Sequence, residues 1–219
     1  MIIVSAFKSV PPFARGLVRD LRVRWALEEA GLDYDQKLLG DGEKDSADYR
    51  AWQPFGQVPA YEERNGGEPL RLFESGAIVL HIGEKPEASD ALLPADPGGK
   101  ARAVQWLLAA LNSVEPHVQH LTAIDLFYAS EEWAKLRRPS AEQMAKARLA
   151  AVAAALGKGE WLTDGRFTAG DLMMATVLRI ARHTELVKEA SLADYLARCE
   201  ARPAFRRALD AQMAVFQDA

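Results

Sequence analysis

Pro54-Phe55-Gly56-Gln57-Val58-Pro59-Ala60-Tyr61, followed by Leu70-Arg71-Leu72-Phe73-Glu74-Ser75-Gly76, is the stretch that decides how this chain folds. A proline cannot donate to a sheet ladder, so Pro59 belongs at a strand start or after a cis bond. With Val58–Pro59 cis, the N–H and C=O of Val58 turn outward, where an extended peptide can pair with them as an added strand does. Leu70 to Phe73 reads as a short strand, and Glu74-Ser75-Gly76 opens the apolar helix Ala77-Ile78-Val79-Leu80-His81-Ile82. The free N–H groups of that helix and the Ser75 hydroxyl make a carboxylate site. The plainer readings are a proline at a strand edge and an ordinary helix cap. An edge for a peptide backbone beside a pocket for a carboxylate describes a receptor for a small acidic peptide.

Upstream, Ile2 to Phe7 is strand-like and Lys8 to Pro12 reads as a loop. Phe13, Leu17, Leu21 and Trp25 then recur at helical spacing, with Gly31 as the stop. Tyr34 to Leu39 is a second strand. Gly40 to Asp48 is a polar surface loop running into a short helix near Tyr49 to Trp52. Asn65-Gly66-Gly67 turns one strand, Val58 to Glu62, into the next. The order β-α-β-α-β-β-α predicts an α/β domain, a mixed four-stranded sheet with helices, over 1–85. Pro86, Pro94, Pro97, Gly98 and Gly99 mark a linker over 86–99. From 100 to 219 no strand pattern appears, and the periodicity predicts an all-α domain with helices over 100–128, 140–156, 169–187, 191–200 and 203–216. Thr168-Ala169-Gly170-Asp171 is a capping box, structural in role, at the head of one of them.

The chain has 219 residues, of which 49% are hydrophobic and 26% charged, enough for a core that removes roughly 70% of the unfolded surface without staples. Its net charge of −4 is spread among mixed acids and bases, which gives no basic footprint for nucleic acid. One cysteine excludes an internal disulfide and fits a reducing compartment. No apolar run approaches the ~20 residues needed to cross a bilayer. The N-terminal residues read as a strand rather than a signal peptide, so the expectation is a cytoplasmic protein. His117 and His120 sit on adjacent turns, but no third ligand is identifiable, so no metal is expected. Cys199, Met144, Met173 and Met174 read as core.

Val58-Pro59 and Glu74-Ser75 resemble the thioredoxin-like half of the glutathione transferases of the bacterial, cytosolic type. Two further segments carry the resemblance: Trp161 to Leu172 is similar to the family's "WL-GD-FT-AD" run, and Tyr195 to Phe205 to its "Y-x-x-R-x-x-x-R-P-A-F" ending. The resemblance implies that Val58 and Pro59 hold the cysteinyl backbone of glutathione, that Glu74 and Ser75 hold its γ-glutamyl end, and that Gln57 donates its amide to the glycyl carboxylate. It implies glutathione as co-substrate, a small hydrophobic electrophile lodged against the helical domain, and a symmetric homodimer, for a detoxification-type transferase. Trp106, His117, Leu121 and Tyr128, near one face of the long helix, are the candidates for the electrophile pocket.

Glutathione chemistry needs a thiolate at neutral pH, whereas a free cysteine thiol titrates near 8.5. Hydroxyl donors, helix N-termini and cations lower that value. In the family the donor follows the first strand, which points to Ser9. Between Ser9 and Arg22-Val23-Arg24-Trp25-Ala26-Leu27 lie about seven more residues than the family's pattern has. Ser5 therefore stays open as a second donor, and Arg15 or Arg19 as electrostatic holders of the thiolate. The same fold without turnover, a glutathione-dependent ligand carrier or regulatory protein, is the alternative reading.

Overall fold

The computed structural model describes residues 1–88, 91–163 and 165–216. Ser89 and Asp90 of the predicted linker, and Asp164 of the Trp161–Leu172 segment, lie outside the described residues. By internal contacts the chain divides into two compact units, Met1–Ala95 with Ala201–Ala219, and Asp96–Glu200.

The first unit is built on four strands, β1 (Ile2–Phe7), β2 (Asp35–Leu39), β3 (Ala60–Glu63) and β4 (Leu70–Phe73), in the order β2-β1-β3-β4. β1 and β2 run parallel, Ile3 opposite Asp35 through Phe7 opposite Leu39. β1 with β3, and β3 with β4, are antiparallel. The sheet is the mixed one the element order predicts. Ile2, Val4 and Ala6 on the central strand are buried, as is every residue of β3. Helices α1 (Asp20–Ala30), α2 (Ala47–Arg50) and α3 (Ser75–Gly83) connect and flank these strands.

The helix expected from Phe13 begins only at Asp20. Residues Pro12–Ala14 form a single 3-10 turn, and Gly16 takes φ 75°, a left-handed conformation that interrupts any helix. Phe13 and Leu17 are correctly spaced but lie outside the helix. At the other end Gly31 takes φ 65°, and the Leu32 N–H returns to the Leu27 carbonyl at 3.0 Å, which closes α1.

The boundary of the first unit also differs from 1–85, because the final helix α9 (Pro203–Val215) belongs to it. The reason lies in what α9 meets. Phe205 sets its ring edge against Trp25 at 4.8 Å, and Arg202 grips Glu29 with two hydrogen bonds of 2.6 and 2.7 Å. Arg207 donates to Glu28 at 2.6 Å. An apolar stripe with charged ends looks the same in sequence whichever unit it packs against.

The second unit is helical: α4 (Pro97–Ala109), α5 (Glu115–Leu126), α6 (Glu132–Leu156), α7 (Ala169–Ile180) and α8 (Ala190–Glu200). The predicted helix 100–128 is two helices joined by a π-helical stretch, Ala110–Val114. Pro116 at the start of α5 has no N–H and its ring crowds the carbonyl four residues back, so a wider turn takes up the chain there. Helix α6 starts eight residues earlier than predicted and carries Pro139 inside it. An internal proline costs ~3 kcal/mol, which the buried face Ala134, Ala141, Ala145, Leu149, Val152 and Leu156 offsets. Helix α7 ends at Ile180 rather than 187, and the rest of that range forms two 3-10 turns around the extended Thr184. No helix of the described residues is long and apolar enough to cross a membrane.

Every residue of α7 is buried, and its first turn holds the unit's main polar cluster. Asp171 Oδ2 accepts from the Thr168 N–H (2.9 Å) and hydroxyl (3.1 Å). Its Oδ1 accepts from the Leu162 N–H and the Tyr195 hydroxyl, both at 2.9 Å. Burial pushes the Asp171 carboxyl above its ordinary range, and these four donors counter it. Replacing Asp171 by Ala strands all four, so a loss of about 3–5 kcal/mol is expected, read as a lower denaturant midpoint; an unchanged midpoint would remove the cluster from any role in stability.

Candidate functional site

The stretch Gln53 to Ala60 is fixed from beneath by two side chains. Tyr49, on α2, donates its hydroxyl to the Gln57 carbonyl at 2.6 Å. That uses its only proton, so the 2.7 Å contact with Ser5 has the Ser5 hydroxyl donating to the tyrosine oxygen. The Ser5 oxygen in turn accepts from the Ala60 N–H at 2.7 Å. Gln53 Oε1 accepts from the N–H groups of Phe55 (2.7 Å) and Gln57 (3.2 Å). Burial raises the Tyr49 hydroxyl above its usual range and keeps it a neutral donor. Between these anchors the Val58–Pro59 peptide is cis, and the ladder with β4 begins at Ala60 opposite Phe73. Val58 and Pro59 are buried, while the Gln57 side chain stands exposed.

Ser75 opens α3 and is 6% exposed, with its hydroxyl accepting from Arg22 Nη1 at 3.2 Å. Arg22, on α1, is itself buried. A guanidinium beside a hydroxyl at a helix N-terminus adds a full positive charge to the helix's own partial one. Glu74, just before, is exposed and holds φ 68°, the one non-glycine residue with positive φ among those described. Glu74 is the residue directly before the helix start. The arrangement suits a ligand end that carries both a carboxylate, for Ser75 and Arg22, and an ammonium, for Glu74.

The far end of α3 is tied as firmly. Glu63, at the end of β3, accepts from the Lys85 ammonium (2.6 Å), Asn65 (3.1 Å) and Tyr61 (2.9 Å), and lies 2.9 Å from His81 Nε2. His81 is in the last turn of α3 and Lys85 just beyond it. Burial alone raises the Glu63 carboxyl, and these four partners overcome it and hold it down at about 2.

Of the thiol-activating candidates, Ser9 is exposed in the loop after β1, and Arg15 is exposed with its guanidinium 5.9 Å from the Phe216 ring centre. Arg19 is half-buried. Ser5 is fully buried and its single proton goes to Tyr49, so it is scaffold and not a donor for a ligand. The four predicted pocket residues differ in their surroundings. Trp106 lies against Gly170, where a Cβ would sit 2.6 Å from its own. Leu121 is sealed among Ile124, Ala134, Ala141 and Ala145. His117 is half-buried, and Tyr128 is exposed against Trp133, ring centres 5.2 Å apart. One face of a long helix no longer aligns once a π-helical stretch shifts the register between Trp106 and His117. Sequence reasoning passed over Arg22 and Tyr49. Arg22 heads the Arg22-Val23-Arg24 run, and a buried arginine on an otherwise apolar helix face is the signal that marks it.

A family model described as "Glutathione S-transferase, N-terminal domain" matches residues 14–84. Glutathione S-transferase 3 of Zea mays is 33% identical over 163 residues, which cover 69% of this chain and 68% of that protein. The chain belongs to the glutathione S-transferase family. It is also similar to the disulfide-bond oxidoreductase YfcG of Escherichia coli, 33% identical over 118 residues, 49% of this chain and 54% of YfcG. The match thus spans about half of YfcG, and only 38% and 30% of two further curated relatives. Among solved structures, a glutathione transferase from Burkholderia graminis, with two glutathione molecules bound per subunit, superposes with a TM-score of 0.81 at 26% identity, over 96% of this chain and 88% of that one. The first unit is accordingly the thioredoxin-like half of the family.

The Glu63 cluster gives a pH test of how α3 is held. A carboxyl whose folded value is lowered contributes stability above its unfolded value, near 4.5, and loses it as pH falls toward about 2. Glu63→Gln should be less stable than the parent by about 1–3 kcal/mol at pH 7, and the gap should close between pH 4.5 and 2. A gap that stays constant with pH, followed by urea unfolding, would show that the carboxylate charge carries none of it.

Proposed function

We propose that this chain binds glutathione on its first unit and activates the bound thiol for attack on a small apolar electrophile. The observation that carries the reading is Ser75, buried at the N-terminus of α3 with the Arg22 guanidinium 3.2 Å from its hydroxyl, next to the exposed carboxylate of Glu74. On this reading Ser75 and Arg22 take the γ-glutamyl carboxylate and Glu74 its α-ammonium. Val58, beside Pro59, takes the cysteinyl backbone and Gln57 the glycyl carboxylate. Ser9 is the donor that holds the thiolate, with Arg15 and Arg19 on the same loop as the electrostatic alternative. With an aryl halide the thiolate sulfur forms a bond to the ring carbon, the carbon–halogen bond breaks, and halide leaves; the thiol proton has gone to solvent. The relative's name, disulfide-bond oxidoreductase, supports a second outcome of the same thiolate, attack on a disulfide sulfur with the other sulfur leaving as a thiolate.

Calorimetry with glutathione, beside turnover of a generic aryl halide and of a small disulfide, tests the reading. Ser75→Ala should weaken glutathione binding by about 1.5–3 kcal/mol, the range of a hydrogen bond to a charged group. Ser9→Ala should leave affinity nearly intact while the bound thiol titrates at higher pH and turnover at neutral pH falls. An unchanged dissociation constant in the first variant overturns the site assignment, and a silent second variant moves thiol activation to Arg15 or Arg19. Glutathione binding without turnover of either substrate would make the chain a carrier.

Phe55 and Phe73 support a symmetric homodimer as part of this proposal. They stand 62% and 40% exposed, packed edge to face at 6.0 Å on the surface of the first unit. Light scattering at micromolar concentration should give twice the chain mass, and Phe55→Ser should halve it; a parent that scatters as a single chain refutes the dimer.

A further inference from the structure

The loop between β1 and α1, residues 8–19, carries Ser9, Arg15 and Arg19, yet it contains only one 3-10 turn and a left-handed glycine. Its last residues are held by the far end of the chain. Gln212, on α9 and 1% exposed, donates Nε2 to the Val18 carbonyl at 3.1 Å and to Asp20 Oδ1 at 2.7 Å. Both partners are acceptors, so the amide orientation is fixed: turned over, it would set oxygen against oxygen. Asp20 is the first residue of α1, and its other oxygen takes Arg24 Nε at 2.7 Å. One turn further along, Phe216 lies under the Arg15 guanidinium. Gln212 of the last helix and Phe216 at its C-cap thus touch both ends of residues 15–20.

Burying Asp20, Arg24 and Gln212 together is a costly way to gain stability. Among the described residues, Arg24 Nη1 and Gln212 Oε1 find no hydrogen-bonding partner, so the cluster is not fully satisfied. What such a cluster does supply is a single geometry, since each hydrogen bond specifies a direction that apolar packing would leave open. We propose that Gln212 of α9 and Phe216, just past its end, are positioning residues that hold the 8–19 loop, and with it the thiol-activating groups, in place. This rests on the reading that the loop supplies those groups. It makes the C-terminal helix a part of the site's machinery although it contributes no group that touches the ligand.

The test has two arms on the full chain. The first needs no ligand: amide exchange of residues 13–19 is compared in the parent, Gln212→Met and Arg207→Ala. Methionine keeps the length of glutamine and removes both hydrogen bonds, while Arg207→Ala loosens α9 from α1 through Glu28 instead. Gln212→Met should speed exchange in 13–19 by about tenfold or more while β3 and α3 stay protected, and Arg207→Ala should leave the loop unchanged. Equal loop exchange in the parent and Gln212→Met, or equal acceleration by both substitutions, overturns the proposal. Should Gln212→Met fold poorly, Phe216→Ala carries the same comparison for residues 14–17. The second arm titrates the thiol of bound glutathione. In Gln212→Met the thiol should titrate at higher pH, with kcat at neutral pH lower and KM little changed. A faster-exchanging loop with an unmoved thiol overturns the link to chemistry. A parent that does not bind glutathione at all overturns the proposed function instead, while the exchange arm still decides what holds the loop.

Discussion

The Tyr49 hydroxyl is the point on which the stretch from Gln57 to Ala60 depends. One proton goes to the Gln57 carbonyl and one lone pair receives Ser5, whose oxygen in turn receives the Ala60 N–H. Three residues from three elements, β1, α2 and the start of β3, are thereby closed into a buried chain that spans the Val58–Pro59 peptide. Each hydrogen bond is worth little net, but each group left unmade in the interior would cost about 1–3 kcal/mol, so the chain holds or fails as a unit. A sheet alone could not do this, because its ladder stops at Ala60 and the residues before it have no strand partner.

The same logic of shared partners fixes the two ends of α3. At its start Ser75 meets Arg22 from α1, and at its finish His81 and Lys85 meet Glu63 from β3. A nine-residue helix is marginal by itself, so its place is set by these contacts and by the burial of Ile78, Val79 and Ile82. Tyr61 contributes to both terms: its ring packs edge to face on His81 at 5.6 Å while its hydroxyl serves Glu63. Both ends of α3 are thus held by side chains from other elements, whereas residues 8–19 carry only one 3-10 turn as a regular element.

Much of this was legible in the residues. The strand-like run of β1, the Asn65-Gly66-Gly67 turn and the Thr168–Asp171 cap each follow from local residue types, and the structure contains each element. What local patterns could not reveal depends on long-range contact. Ser5 reads as a donor candidate until Tyr49, 44 residues away, claims its proton. The periodic Phe13 and Leu17 suggest helix, and only Gly16 between them, in a left-handed turn, overrules the period. Helix α6 runs through Pro139 because a buried alanine-rich face continues on both sides of it, information that a single proline hides. The long period over 100–128 reads as one helix, and the π-helical stretch Ala110–Val114 that divides it leaves no mark in that period. Helix α9 is the largest such case, since its partner unit is separated from it by more than a hundred residues.

The left-handed backbone at Glu74 has an evolutionary side. A glycine adopts φ 68° with ψ 112° at less cost than a glutamate, whose Cβ is crowded there. Glutamate at this position therefore opposes local stability. Heat selection on a randomised codon 74 and selection for ligand capture pull in opposite directions, so the residues recovered from the two would diverge. If Glu74 takes the ligand's ammonium as proposed, thermostability and recognition are set against each other there by a single dihedral angle.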